Sequence, residues 1–182
     1  TRCSRDWSSD VCSSDLVCLD STATFITPQE TRECPVCELV TGPNRTIIPP
    51  GGLLVSINYA APLAGSKGVF LKLGRRNAMA ISRLTVAALG RLDASGMISE
   101  ARLVPGSASP QICRFTAVEN LLVGQRPTPE LYRAAGALAA DEMIRLSGKR
   151  WSSEFKIPAL SALVARAFEN IFEPASETVE AL

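Results

Sequence analysis

Histidine is absent from the 182 residues. Its absence removes the commonest general base and the commonest nitrogen ligand for metals, so redox or hydrolytic chemistry has to come from carboxylates, lysines, thiols or a bound cofactor. Aromatic residues are 5% of the chain, and only Tyr59 and Phe70 stand near its most basic stretch, too few to stack the bases of a single-stranded nucleic acid. No apolar run approaches the roughly 20 residues that span a bilayer, and the first residues do not follow the order of a secretory signal; the sequence reads as cytoplasmic. Acidic residues are missing from a long internal stretch. Between Leu39 and Leu92 there is no Asp or Glu, while Arg45, Lys67, Lys72, Arg75, Arg76, Arg83 and Arg91 give that stretch a formal charge of +7 in a chain whose net charge is +1. The rest therefore sums to −6. A field sorted in this way favours an anionic ligand or an acidic partner; alternatively, these are solvated strand-edge charges that discourage sheet aggregation.

The length suits one domain, or one domain and a piece of another, and 46% hydrophobic with 20% charged residues is an ordinary globular composition. Thr1–Leu16, with the next two residues, contains the near-repeat SSDVC and SSDLVC, and lacks helical or strand periodicity. The run Asp6–Leu16 also resembles the translation of a sequencing-library adapter, so residues 1–16 are expected to be non-native and to lie outside the fold, with the native chain starting near Val17. Cys34-Pro35-Val36-Cys37 is a single CxxC. With Cys18 and Cys113 it could gather four thiolates around zinc, or act as a redox dithiol, but a lone CxxC with no second knuckle nearby more simply fills space, and no metal is expected there. Cys113 is expected to be a buried, inert thiol.

Val17–Ile26 has the alternating, β-branched character of a strand, ITPQETRE reads as a turn, and Thr46–Ile48 and Leu53–Ile57 are short apolar runs suited to buried strands. After a linker over 59–67, three strand candidates follow at Phe70–Leu73, Leu84–Leu92 and Ile98–Val104, the last two joined by the hairpin loop Asp93–Gly96. Phe115, Val118, Leu121 and Leu122 share one helical face, ended by Gly124. Thr128-Pro129-Glu130 is an N-cap, a proline in the first helical position and an acid in the first turn, and its helix aligns Tyr132, Ala135, Ala139, Met143 and Leu146. A last helix starting at Pro158 stacks Leu160, Leu163, Val164, Ala167, Phe168, Ile171 and Phe172, and an acidic tail is expected over 175–182. Strands followed by helices predict an α+β fold, an antiparallel three-stranded sheet packed by helices on one face.

Five segments taken in order, GPNRTIIPPGGLLVSI, FLKLGRRNAMAISRLTVAA, ISEARLVPGSASP, AVENLLVG and SSEFK, resemble the flavin subunit of the molybdenum hydroxylases, the carbon monoxide dehydrogenase and xanthine dehydrogenase group. The resemblance implies that residues 17–62 are the last part of an FAD-binding domain and 68–174 the flavoprotein C-terminal domain. It further implies an electron-transfer subunit carrying FAD, with [2Fe-2S] centres on a small partner and molybdopterin on a large one. Two flavin contacts carry over by position, Leu54 as an apolar wall and Lys72 as a cation that tunes the flavin; Arg75 and Arg76 are expected to orient the next segment or to meet the iron–sulfur partner. Two departures limit the likeness. Gly52 stands where the family has Glu before the paired leucines, and the glycine-rich cradle of the FAD pyrophosphate lies upstream of Val17 in the family, so FAD binding by this chain is expected to be weak or absent. A non-catalytic interaction domain with a basic docking face is the alternative reading.

Overall fold

The computed structural model describes residues 9–42, 45–74 and 82–173, with side chains from Ser13 onward. The expectations for Arg75, Arg76 and Ala78–Ile81, and for the acidic tail, lie outside the described residues. In chain order the elements are α1 (Ser9–Cys18), β1 (Thr22–Ile26), β2 (Thr31–Pro35), α2 (Val36–Leu39), β3 (Val40–Gly42), β4 (Arg45–Thr46), β5 (Leu53–Asn58), β6 (Lys67–Gly74), β7 (Ser82–Leu92), β8 (Ile98–Gly106), α3 (Thr116–Leu122), α4 (Pro129–Ser147) and α5 (Ser153–Phe172).

The core forms around β7, the middle strand of the antiparallel sheet β6-β7-β8. From Val86 to Gly90 its sequence carries no polar side chain because both of its faces are covered there, and a strand buried on two sides has no polar side to alternate with. Leu84, Val86 and Ala88 point to one face, where they join Phe115, Val118, Leu160, Val164 and Phe168. Helices α3 and α5 lie on that face, and α4 packs on both of them. Ala87 and Leu89 point to the other face, with Val17 and Cys18 of α1. The β7–β8 hairpin closes as its sequence predicts: Asp93 Oδ1 accepts from the backbone N–H of Ser95 at 2.8 Å and of Met97 at 3.0 Å, and Gly96 takes φ +79°. The start of α4 is also as read, Thr128 Oγ1 accepting from the Leu131 N–H at 3.2 Å with Pro129 in the first turn. The fold is α+β, a three-stranded antiparallel sheet packed by helices.

A second sheet, ordered β2-β1-β5, buries Ala23 and Phe25 of its central strand, and the Arg32 guanidinium lies 5.8 Å from the Phe25 ring centroid.

Several expectations are corrected. Residues 9–16 do not lie outside the fold. They belong to α1, whose Ser14 is fully buried and shares a 3.3 Å hydrogen bond with Thr85 of β7, because the sheet's second face needs a cover and tertiary packing overrides a sequence without periodicity. The expected strand over Val17–Ile26 is therefore shortened to Thr22–Ile26, and ITPQETRE splits into a turn closed by Thr27 Oγ1, which accepts from the Glu30 N–H at 3.1 Å, and the strand β2. The run Leu53–Ile57 is a strand, yet Leu53, Leu54, Val55 and Ile57 are all exposed because β5 forms the sheet's edge; of Thr46–Ile48 only Thr46 is in a strand. Helix α5 begins at Ser153, with Pro158 inside its second turn. There the missing N–H costs one hydrogen bond near the end rather than a break. Cys113 is half-buried rather than buried, and Phe115 precedes α3 as its N-cap.

Candidate cofactor site

Lys72 lies on β6, the edge of the main sheet, directly across from Thr85. Opposed residues of an antiparallel pair share a face, so Lys72 stands on the side that carries Thr85, Ala87 and α1. Its side chain is exposed, and its ammonium makes no hydrogen bond or ion pair among the described residues. Two residues earlier on the same face, half-buried Phe70 lines a slot of about 300 Å³ between β6, β7 and α1, together with Gly68, Ala87, Leu89, Cys18 and Asp15. Withdrawal from water pushes the Asp15 carboxyl above its ordinary range and the Cys18 thiol up to about 12. The sequence reading noted Phe70 as an aromatic near the basic stretch and as the start of a strand, not as a site residue. Its spacing of two from Lys72 on a strand was the available signal.

Leu54 lies on a different sheet. It pairs with Phe25 across β1 and is 39% exposed, on an edge strand that also leaves Leu53 68% and Val55 53% exposed. Leu54 and Lys72 thus occupy two separate edges joined by residues 59–66, and their strands do not pair. An exposed apolar edge strand and an exposed cation beside an apolar slot fit the ring of a flavin, which needs flat apolar walls and tolerates a nearby positive charge. The phosphates are another matter. Gly51 takes φ +83°, but Gly52 hydrogen-bonds back to Pro49 O at 2.9 Å and runs into β5, not into a helix N-terminus, so these glycines make no phosphate cradle. A Cβ at Gly52 would stand 2.6 Å from Ile48 Cγ2 and 3.0 Å from Pro49 O, which accounts for glycine where a larger residue was expected.

The connection between the two sheets is charged. Arg102 of β8 reaches Asp20 at 2.8 Å and donates to the carbonyl of Cys18 at 3.0 Å, while Arg114 binds the other oxygen of Asp20 at 2.8 Å. Arg114 also forks onto Glu119, whose carboxylate accepts from the Leu103 N–H at 2.9 Å. The Glu119 side chain is 6% exposed. It lies in AVENLLVG, where the sequence reading saw only an apolar helical face. No group of three His, Cys, Asp or Glu side chains converges among the described residues. Cys34 is buried, its thiol pushed up by that burial, while Cys37 is exposed. No helix among the described residues is long and apolar enough to cross a membrane.

A sheet of this order, closed on one face by α3 to α5, is the architecture of a flavoprotein C-terminal domain. Residues 69–171 match the sequence profile of the CO dehydrogenase flavoprotein C-terminal domain, and the chain belongs to that family. In three dimensions it is similar to quinoline 2-oxidoreductase from Pseudomonas putida 86, at a TM-score of 0.76 and 17% identity over 88% of this chain. It is similar to carbon monoxide dehydrogenase from Hydrogenophaga pseudoflava lacking the Mo-pyranopterin moiety, at 0.77 and 21% over 88%, and to reconstituted CO dehydrogenase from Oligotropha carboxidovorans, at 0.77 and 20% over 87%. The match covers 55% of each of those chains. No match was found among curated proteins.

Proposed function

We propose that this chain is the flavin-carrying electron-transfer part of a cytoplasmic molybdenum hydroxylase. Bound FAD supplies the redox chemistry, with electrons drawn from [2Fe-2S] centres on a small partner and, before them, from a substrate oxidised at molybdopterin on a large partner. The chain's own residues bind and tune. Leu54 and its exposed neighbours on β5 form an apolar wall that keeps water from the ring, Phe70 offers a second apolar surface, and Lys72 places a positive charge where it raises the affinity for added negative charge. Residues 17–62 are read as the end of the FAD-binding domain and 68–174 as the C-terminal domain. Residues 1–16 are read as non-native; an independently amplified gene carrying the same codons would overturn that reading.

The observation that carries the proposal is Lys72, an exposed cation with no partner among the described residues, beside an apolar slot, in a chain of this family. The test exchanges residues 69–171 into a longer family member that holds FAD. Lys72→Ala in that chimera is expected to weaken FAD binding by about 1–3 kcal/mol, the scale of a charge-assisted hydrogen bond, and to lower the flavin potential. Unchanged affinity and potential in a folded chimera would remove Lys72 from the site.

A further inference from the structure

Cys37 and Cys113 are far apart in sequence, and the fold brings their segments together. Cys37 is exposed in α2, and Cys113 is half-buried in the loop between β8 and α3. Gln111, two residues before Cys113, donates from Nε2 to the carbonyl of Thr41, two residues after α2, at 2.9 Å. Ile112 packs against the cluster that holds Val36 and Leu39 of α2 together with Cys34, and Val40 and Gly42 stand with Pro110 and Ile112 along the wall of one cavity. Cys113 itself packs against the main core. Burial pushes its thiol above the ordinary range, and the charge of Cys37, once ionised, adds to that push. The exposed thiol is therefore within electrostatic reach of the half-buried one.

Cys34 is the nearer neighbour of Cys37 in sequence but is poorly set to pair with it. It lies buried in β2, across from Ala23, and Pro35 between the two thiols is extended at φ −56° and ψ 141°. Cysteines that close need Cα atoms within about 7 Å, and an extended residue between them opens the turn that would bring them there. From this placement we propose that Cys37 and Cys113 are a redox pair, closing under oxidation to a disulfide that ties α2 to the loop ahead of α3 and so the β2-β1-β5 region to the main sheet. The oxidant is a low-molecular-weight disulfide of the glutathione class. The Cys37 thiolate attacks one of its sulfurs and releases one thiol; the Cys113 thiolate then attacks the Cys37 sulfur of the mixed disulfide and releases the second. The two cysteines lose two protons and two electrons, and the small disulfide takes up both. The pair is separate from the flavin reading and stands or falls without it.

The test incubates the 182-residue chain with oxidised glutathione, blocks the remaining thiols and maps disulfides by mass spectrometry of the unreduced digest. Expected is a cross-linked peptide pair joining Cys37 to Cys113. The oxidised chain should have a higher Tm than the reduced one, because a bridge across so long a loop restricts the unfolded state, and dithiothreitol should return it to the reduced value. Cys34→Ser should leave the bridge in place, and Cys113→Ser should stop the reaction at the mixed disulfide of Cys37 with glutathione. A Cys37 that stays reduced, a lasting glutathione adduct in the parent chain, or Cys37 bridged to Cys34 or to any other thiol would overturn the pairing. An oxidised Tm no higher than the reduced one would overturn the tie between the two regions.

Discussion

Replacing Gly136 by alanine sets two effects of opposite sign against each other. Alanine is the better helix former by about 1 kcal/mol in an open helix interior, and Gly136 lies in the middle of the nineteen-residue α4. But Gly136 is buried against α5, where an added Cβ would come well inside 3.0 Å of the Ser161 carbonyl oxygen. That oxygen belongs to a helix backbone and cannot swing away as the end of a side chain can. The helices would have to separate by about half an ångström or more, and a gap of that size forfeits roughly a quarter to a half of each dispersion contact across it. Ala135, Ala139 and Met143 on α4, and Leu160, Val164 and Phe168 on α5, share this core. Overpacking of this kind costs about 1–3 kcal/mol, and a backbone obstacle puts Gly136→Ala at the upper end. After the gain in helix propensity the net loss is about 2 kcal/mol, or about 4–8 °C in Tm for a chain of this length. Urea unfolding monitored by circular dichroism reads it directly. Adding Ser161→Ala should not restore stability, because it removes the hydroxyl and leaves the carbonyl. A Gly136→Ala variant as stable as the parent, or one rescued by Ser161→Ala, would show that the backbone approach is not what requires glycine.

Other outcomes follow from the charged connection and the thiols. Glu119→Ala leaves Arg114 and the Leu103 N–H without their buried partner and should cost about 3 kcal/mol in urea unfolding; a loss below about 0.5 kcal/mol, typical of surface sites, would refute the role given to it. Iodoacetamide at neutral pH should label Cys37 and spare Cys18, since burial pushes the Cys18 thiol up to about 12; equal labelling of the native chain would contradict its burial. The same shift gives a pH dependence. The folded state holds its proton on Cys18 beyond the point where the unfolded chain, near 9, has lost it, so the contribution is complete below about 9 and is lost as pH rises from there toward 12. Asp93 behaves in the opposite way. Bonds from the Ser95 hydroxyl and the Met97 and Ser95 N–H groups hold its carboxyl below the ordinary 3.8, so its contribution is present above that value and lost as pH falls below it. Asp93→Asn should flatten stability against pH in that acid range, as read by Tm; an unchanged slope would remove the hairpin carboxylate from the acid response.

What was legible in the sequence was whatever local chemistry decides. The β7–β8 hairpin follows from Asp93 and Gly96, the start of α4 from Thr128 and Pro129, and the buried stripe of α5 from the spacing of Leu160, Val164, Ala167, Phe168 and Ile171. Misreadings arose where a neighbour decides. The apolar run Leu53–Ile57 has the composition of an interior strand, and only the topology, which leaves β5 unpaired on one side, makes it an exposed edge. The residues of α1 carry no helical period, yet the open face of β7 orders them through Ser14, Val17 and Cys18. Pro158 marks a helix start by rule, but a turn forms ahead of it here at the cost of the one hydrogen bond that its missing N–H would have made.

The charge pattern was legible in sign but not in place. An acid-free run from Leu39 to Leu92 pointed to cations without local partners, and Lys72 stands exposed on a sheet edge without one among the described residues. Arg91 shows why the pattern is not sufficient. It belongs to the same run, yet β8 brings Glu100 within 3.6 Å of its guanidinium, a carboxylate from outside the run delivered by strand register. Charge excess along a chain therefore marks candidates such as Lys72.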